Sequence, residues 1–203
     1  LAGVYADMSA MTTTPNRRCG ATSLSDATPS ANNTLLRPQD VIENQLILPG
    51  QSNQDLMFFT GISKPNDGGD YRWVTKARWY FSCLPTTANG VAGDSFLARS
   101  PDGTKYWFNH LVQQQAEWVN RIGIAQGAGP VDPYTGINSD LVFSNPVKRY
   151  DVRALPTRVE DRFGNYVVYT YDALNPWKLI QISSSDGRLI NLTYNSDNRV
   201  VSA

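Results

Sequence analysis

Polar and apolar residues alternate twice in the last quarter of the chain, over residues 166–171 and again over residues 189–194. Alternation with a period of two, rich in aromatic and β-branched residues, is typical of β-strands. We therefore predict a strand in each copy, with equivalent side chains on one face of a sheet. The residues assigned to that face are Val167, Tyr169 and Tyr171 in the first copy and Ile190, Leu192 and Tyr194 in the second.

A glycine turn precedes each of these strands. Gly164 and Gly187 lie 23 positions apart, and each is followed seven positions later by a tyrosine and then by Asp172 or Asn195. Glycine adopts the positive φ angles that tight hairpin turns require. A fixed period of this kind indicates stacked copies of one supersecondary unit, which here is a β-hairpin.

A third, weaker copy of the hairpin lies upstream, around Gly103. When the copies are aligned on the glycine, Tyr106 and Phe108 match the first two apolar positions, and His110 occupies the position of Tyr171. The chain therefore carries three glycine-centred hairpins, two of them adjacent.

The remaining segments predict a loop-rich β protein. Residues 113–122 have good helix propensity but follow directly on a predicted strand, so we expect an insertion whose structure the sequence leaves open. The fold class is predicted to be all-β, with antiparallel hairpins in a meander. Its N-terminal β domain, residues 1–150, runs into the repeat hairpins of residues 151–203. Strands are also predicted over residues 41–48, 56–59 and 71–81, a turn over residues 66–70, and irregular structure over residues 1–34 and 127–145.

Composition and charge narrow the classes of partner. The 203 residues include 18 Lys plus Arg and 18 Asp plus Glu, so the formal net charge is zero. Such a chain has no long-range field to attract nucleic acid or an anionic membrane, and no apolar run reaches membrane-spanning length. We expect neither a nucleic-acid partner nor membrane insertion. The ends, Leu1 without an initiating Met and a stop soon after Arg199, suggest a fragment of a longer chain.

These hairpins resemble RHS repeats, also called YD repeats, of bacterial proteins. The resemblance rests on the Tyr171-Asp172 ending, the Asp-x-x-Gly-Asn turn of residues 161–165, and Asp186-Gly187-Arg188. Residues 96–111 resemble the Ser-Pro-Asp-Gly-Thr-x-Tyr-x-Phe hairpin that often precedes such an array. The firm match covers residues 155–203. Two features depart from the pattern: Asn195 replaces the aspartate, and residues 173–177 carry an insertion. The residues that define the repeat are Gly164, Tyr169, Tyr171, Asp172, Gly187, Arg188 and Tyr194.

The resemblance implies a scaffold rather than an enzyme. In the family, tandem hairpins wind into a hollow β-sheet shell that commonly encloses a C-terminal toxin. We therefore expect a non-catalytic structural fragment of a secreted or cell-surface bacterial protein. Its partners would be the remainder of its own parent chain, meaning further repeats and a toxin cargo. No cofactor is expected.

Cys19 and Cys83 are the only two cysteines and lie 64 positions apart. A metal-binding or redox pair is typically closely spaced, as in Cys-x-x-Cys, and this spacing is absent. The oxidising environment of exported RHS-type proteins implies a disulfide between them, which by chain entropy would contribute roughly 4 kcal/mol. Two free buried thiols remain the alternative.

Candidate catalytic and metal-binding residues have structural interpretations that we favour. His110 lacks a recognisable nucleophile motif, so we interpret it as a strand-end packing residue. A glycosidase needs two carboxyls facing each other across a cleft, whereas adjacent residues on a strand point to opposite faces. Residues 132–140 offer oxygen ligands but miss the EF-hand spacing, so we predict neither a catalytic nor a metal site. The acidic pairs considered are Glu160/Asp161, Asp67/Asp70 and Asp132/Asp140.

A carbohydrate- or cell-surface-binding β module is the alternative from another class. Exposed aromatic rings on strands could stack on the sugar rings of a cell-surface glycan, although such residues more often form core and cross-strand packing. The candidate stacking residues are Trp73, Trp79 and Trp107. Their exposure separates the two hypotheses, since burial favours a scaffold and a solvent-facing row favours binding.

Overall fold

The computed structural model describes residues 7–12, 42–58, 64–124 and 141–203. Every regular element in this part of the chain is a β-strand, and the pairing is antiparallel, so the predicted all-β fold class is confirmed. No helix here is long and apolar enough to cross a membrane. The strands are β1 (Asp7–Thr12), β2 (Ile42–Ile47), β3 (Gln54–Asp55), β4 (Met57–Phe58), β5 (Trp73–Val74), β6 (Tyr80–Cys83), β7 (Phe96–Arg99), β8 (Lys105–Ile124), β9 (Leu141–Glu160), β10 (Tyr166–Tyr171), β11 (Leu179–Ser184), β12 (Leu189–Asn191), β13 (Thr193–Tyr194) and β14 (Val200–Ser202).

Nine of these strands form a meander in which each pairs with the next along the chain. The order runs from β4 through β5, β6, β7, β8, β9, β10 and β11 to β12. β13 and β14 form a separate two-stranded hairpin. Consecutive strands of a sheet usually lie side by side, and here they do so across both the tight turns and the longer connections.

The N-terminal part of the sheet closes on itself through β1 to β4. β1 pairs with β9, β2 pairs with β1, and β3 pairs with β2. Only Leu56 separates β3 from β4, and β4 returns to the meander by pairing with β5. The pairings therefore form a ring, β9–β1–β2–β3/β4–β5–β6–β7–β8–β9, which is closed between β3 and β4 by the chain itself at Leu56.

The main hydrophobic core belongs to this ring. Phe81, Phe96 and Phe108 from consecutive meander strands pack with Leu46 of β2, and all four are almost fully buried. Alternation along β7 produces the pattern, since Phe96 and Ala98 are buried while their neighbours are only partly buried. The remaining members of the cluster are Leu56, Trp73, Trp79, Leu111, Val152 and Ala154.

β9 belongs to both parts of the fold. Residues 150–154 pair with β1 and close the ring, whereas residues 158–160 pair with β10 and begin the repeat hairpins. The domain boundary predicted at residue 150 falls inside this strand. One 20-residue strand thus joins the ring to the repeats without a linker.

Three sequence predictions about elements were incomplete or wrong. The open segment at residues 113–122 is part of β8, because β9 pairs with it along its length. The long strand predicted over residues 71–81 is two strands, β5 and β6, separated by a tight turn in which Arg78 has a φ of 63°. Residues 7–12 form β1 rather than irregular structure, while the rest of the predicted N-terminal irregular segment lies outside the described residues.

Candidate functional site

Four five-residue turns share one backbone geometry. In each turn the N–H of the first residue donates to the C=O of the fifth, and the N–H of the fourth donates to the C=O of the first, at 2.9–3.2 Å. The fourth residue has a positive φ in every case: 92°, 89° and 86° at Gly103, Gly164 and Gly187, and 61° at Asn198. This is a type I turn followed by a left-handed residue, the usual three-residue hairpin loop. The turns occupy residues 100–104, 161–165, 184–188 and 195–199.

The fourth turn, residues 195–199, was missed by the sequence prediction because its left-handed position holds Asn198 instead of glycine. Asparagine is enriched in that conformation among non-glycine residues, so the signal was present in the spacing of Asn195 and Asn198. The other three turns lie where the glycines predicted them.

Side chains close these turns in two ways. In the turns that begin with Asp161 and Asn195, the side-chain oxygen of the first residue accepts N–H groups of the third and fifth, at 2.8–3.0 Å. In the other two, the third residue is Asp102 or Asp186, which accepts the fifth N–H and a serine hydroxyl. Arg188 adds a bond from Nε to Asp186 at 2.7 Å.

These bonds favour the ionised carboxylates. The Arg188 and Ser184 side chains lower the pKa of Asp186, and the Asn165 side chain lowers that of Asp161. Hydrogen bonds to a carboxylate stabilise its charged form, so each group loses its proton more readily than in an unfolded chain. The aspartates of the turns therefore act as structural acceptors.

Two tyrosines make the same hydrogen bond one period apart. The hydroxyl of Tyr171 donates to the carbonyl of Pro156 at 2.8 Å, and that of Tyr194 donates to the carbonyl of Leu179 at 2.7 Å. In both cases the acceptor lies 15 positions earlier, and both members of the second pair lie 23 positions after those of the first. The sequence period is thus reproduced as a three-dimensional contact that crosses from one strand to another.

The apolar faces of the repeat strands form a second core. Tyr171, Leu179 and Leu192 are buried there with Val112 of β8 and Leu155 of β9. Tyr169, Ile182 and Tyr194 pack against this cluster. Tyr169, Tyr171, Leu192 and Tyr194 therefore share one cluster, but not one face of adjacent strands as predicted, because Leu192 lies between β12 and β13 and Tyr194 belongs to the separate β13–β14 hairpin. A register shift between Thr170 and Tyr171 sets Tyr171 opposite Leu179.

His110 lies at the tyrosine position of the upstream hairpin and joins this second core. Its ring stacks on Tyr171, with centroids 4.1 Å apart and an angle of 19° between the planes. Its Nε2 lies 2.6 Å from the carbonyl oxygen of Pro176. Burial lowers the pKa of His110, which is 8 % exposed. The contacts agree with a packing role, but His110 lies inside β8 and not at a strand end as predicted, because β8 continues to Ile124. The hydrogen bond to Pro176 was not indicated by the sequence.

Asp172, the aspartate of the Tyr-Asp pair, organises the loop that joins β10 to β11. Its Oδ1 accepts the N–H groups of Leu174 at 2.9 Å and Asn175 at 2.6 Å, and its own N–H donates to the carbonyl of Lys178 at 2.9 Å. Asn195, which replaces the aspartate one period later, performs the same acceptor role in a shorter turn. The departure from the repeat pattern is therefore chemically conservative.

The three candidate sugar-stacking tryptophans do not form an exposed row. Trp73 and Trp79 are 6 % and 8 % exposed and belong to the core of the ring, so neither offers a face to a ligand. Trp107 is half-buried, and the guanidinium of Arg158 lies 5.4 Å from its ring centroid. Arg158 also lies 3.9 Å from the ring centroid of Tyr166 and bonds to Glu160 at 2.6 Å.

The acidic pairs have structural partners. Asp67 accepts the Tyr71 hydroxyl at 3.0 Å and pairs with Arg99 at 2.9 Å. Burial and the hydrogen bond to Asp67 raise the pKa of Tyr71 to about 12. Asp70 pairs with Arg72, and the described residues contain no group of three or more possible metal ligands. Residues 132–140, with Asp132 and Asp140, lie outside the described residues.

Cys83 is the last residue of β6 and is disulfide-bonded. The second cysteine of the chain, Cys19, lies outside the described residues, so the pairing of the two stays a prediction.

Apolar side chains are exposed at the last strands of the sheet. Leu189 and Ile190 of β12 are 54 % and 47 % exposed, and Val200 and Val201 of β14 are 41 % and 62 % exposed. Ile190 lies opposite Ile182, which itself lies opposite Tyr169, so it continues the row of side chains on the face of the second core. Among the described strands β12 pairs only with β11.

No family model, curated protein or solved structure matches this chain. The assignment of a function therefore depends on the geometry of the repeats.

Proposed function

We propose that this chain is a non-catalytic structural part of an RHS/YD-repeat protein. It would form the start of a β-sheet shell that encloses or presents a C-terminal toxin or effector. Its partners would be the further repeats and the cargo of the same parent chain, exported from a bacterial cell.

The observation that carries this proposal is the repeated tyrosine bond. Tyr171 to Pro156 and Tyr194 to Leu179 are the same contact displaced by one period. A contact that recurs at a fixed period lets identical units stack, because each unit presents to its successor the surface it receives from its predecessor. Such a wall needs no chemistry of its own.

The edge of β12 supports the same proposal. Ser184 N–H donates to the carbonyl of Arg188, and Leu192 N–H donates to the carbonyl of Ile180. Because backbone groups alternate in direction along an antiparallel strand, those of Leu189 and Asn191 point away from β11. With exposed apolar side chains beside them, these groups are suited to pair with a further strand.

The carbohydrate-binding alternative receives no support from the tryptophans. Two of the three rings lie in a core, and an arginine lies over the third. A glycan titration that changed the tryptophan fluorescence would nevertheless favour that alternative.

A chain extended after Ala203 by a second copy of residues 181–203, which keeps the 23-residue period, tests the scaffold proposal. The added unit should fold onto the edge and raise both the urea midpoint and the m-value in one cooperative transition, because more surface is buried on folding. A scrambled extension of equal composition is the control. Equal midpoints for the two chains, with both extensions open to protease, would contradict the proposal.

A further inference from the structure

Tyr171, Tyr194 and His110 occupy equivalent positions in their hairpins, but only His110 bonds to a loop. The two tyrosines donate to carbonyls at strand positions, Pro156 and Leu179. His110 instead contacts the carbonyl of Pro176, in the loop of residues 172–178. Since a carbonyl oxygen only accepts, Nε2 of His110 must carry the proton of this bond.

The chemistry of His110 differs from that of the tyrosines. Imidazole is the side chain that ordinarily changes charge between pH 5 and 8, whereas a tyrosine hydroxyl stays neutral throughout that range. His110 is the single histidine of the chain. Its ring is buried, with Tyr171 stacked on one face.

The loop that His110 contacts is closed mainly by hydrogen bonds among its own residues. Asp172 holds its beginning, and the N–H of Lys178 donates to the carbonyl of Asn175 at 2.8 Å. Leu174 is 91 % exposed and Trp177 is 41 % exposed, so little apolar burial ties the loop to the sheet. Segments with few buried contacts open at a low free-energy cost.

The groups around His110 do not offset the positive charge that a second proton would give its imidazole ring. Tyr171 from β10 is neutral, and Leu155, the cross-strand neighbour on β9, is apolar. In the loop, the carboxylate of Asp172 is taken up by Leu174 and Asn175, and the ammonium of Lys178 lies over the rings of Trp177 and Tyr194. A positive charge on the buried imidazole is therefore disfavoured while the loop is closed.

We propose that His110 is a pH-sensitive latch, which holds the loop of residues 172–178 closed at neutral pH and lets it open in mild acid. Opening exposes the imidazole to water, where it binds a proton near its ordinary pKa of about 6.5. The closed form binds that proton only at lower pH because burial lowers the pKa of His110. Between the pKa of the open form and that of the closed form, each decrease of one pH unit raises the fraction of molecules with an open loop by up to about tenfold. The latch does not depend on the proposed scaffold function.

Hydrogen exchange of the loop amides tests the latch. Protection at Leu174, Asn175 and Lys178, corrected for intrinsic exchange, should fall as the pH is lowered from 7 to 5, by at most about tenfold per pH unit. Residues 195–199, the equivalent turn one period later, are the internal control and should stay constant. The ionised Asp172 does not confuse the comparison, since its pKa is lowered by its bonds to Asn175.

The variant His110→Gln keeps an amide donor but does not titrate, so its loop should show a flat pH profile. The same loss of protection in this variant, or constant protection in the native chain, would overturn the latch. If the variant does not fold, the imidazole resonance of the native, untagged chain decides the matter by NMR. A titration midpoint at or above 6.5 would then reject the proposal.

Discussion

The hydroxyl of Tyr171 makes the same hydrogen bond as that of Tyr194 but in a more buried position. Tyr171 is 9 % exposed, whereas Tyr194 is only partly buried. Removing a hydroxyl from a buried pair leaves the carbonyl of its partner unsatisfied, and this costs more where water cannot replace the lost donor.

We therefore expect Tyr171→Phe to lower the free energy of unfolding by about 1–2 kcal/mol, and Tyr194→Phe to lower it by less. Urea denaturation of the two variants beside the native chain measures the difference. Equal effects would mean that burial does not set the strength of the repeated bond.

Individual residues also mark how far sequence reasoning reaches. Gly103, Gly164 and Gly187 predict their turns because few other residues tolerate a positive φ. The period of 23 predicts that Tyr171 and Tyr194 are equivalent, but not which carbonyl each would reach. The position of the Tyr171 hydroxyl depends on a register shift between Thr170 and Tyr171. Alternation along a single strand does not reveal such a shift.

At the scale of elements, β8 shows why local propensity failed. Residues 113–116, three glutamines and an alanine, suit a helix, yet β9 supplies a continuous strand partner for them. Tertiary pairing overrides a weak helix preference of a few tenths of a kcal/mol per residue. The sequence could not predict this, because the partner lies more than thirty residues away.

Beyond its pairing with β7, which covers residues 105–108, β8 is bonded at Leu111 by a side chain in place of a strand. Asn89 donates through Nδ2 to the carbonyl of Leu111 at 2.8 Å, and its Oδ1 accepts the Leu111 N–H at 3.2 Å. One amide thus satisfies both backbone groups of Leu111, as a neighbouring strand would.

Replacing Asn89 with Asp should remove the donor and leave the Leu111 carbonyl unpaired. We expect Asn89→Asp to cost about 1–3 kcal/mol of unfolding free energy. Asn195→Asp is the matched control, because Asn195 uses only its acceptor oxygen towards the N–H groups of residues 197 and 199. Thermal or urea unfolding checks the pair, and a similar loss in both variants would contradict the role given to Asn89.

At the scale of the whole molecule, stability should decline in two stages as the pH falls. Because the pKa of His110 is lowered in the folded state, this residue contributes to the free energy of unfolding. The contribution is complete above about pH 6.5 and is lost as the pH falls towards the pKa of the folded state. The aspartates with lowered pKa give a contribution that is complete above about pH 4 and is lost below it. These aspartates are Asp67, Asp102, Asp161, Asp172 and Asp186.

Urea midpoints measured from pH 7.5 down to pH 2.5 should follow this course. His110→Gln should remove the first stage and leave the second unchanged. A midpoint that stays constant from pH 4 to pH 2.5 would show that the turn aspartates do not couple to folding.

The sequence does not predict the closure of the ring. The hairpins of the meander follow from local turns and alternation, but the pairing of β1 with β9 joins residues with no shared local pattern. In this ring β3 and β4 act as one interrupted strand. The part before Leu56 pairs with β2, and the part after it pairs with β5. The sequence predicts neighbours along the chain, and long-range closure depends on packing of the core they enclose.

The double duty of β9 bears on the order of folding. Met8 pairs with Ala154, a contact that spans most of the chain, whereas the partners in each repeat hairpin lie fewer than twenty residues apart. Closing a short loop is faster than closing a long one, so the repeat hairpins should form before the ring. During synthesis, β1 therefore has no partner in β9 until residues 150–154 have emerged, and its backbone groups on that side stay unpaired until then.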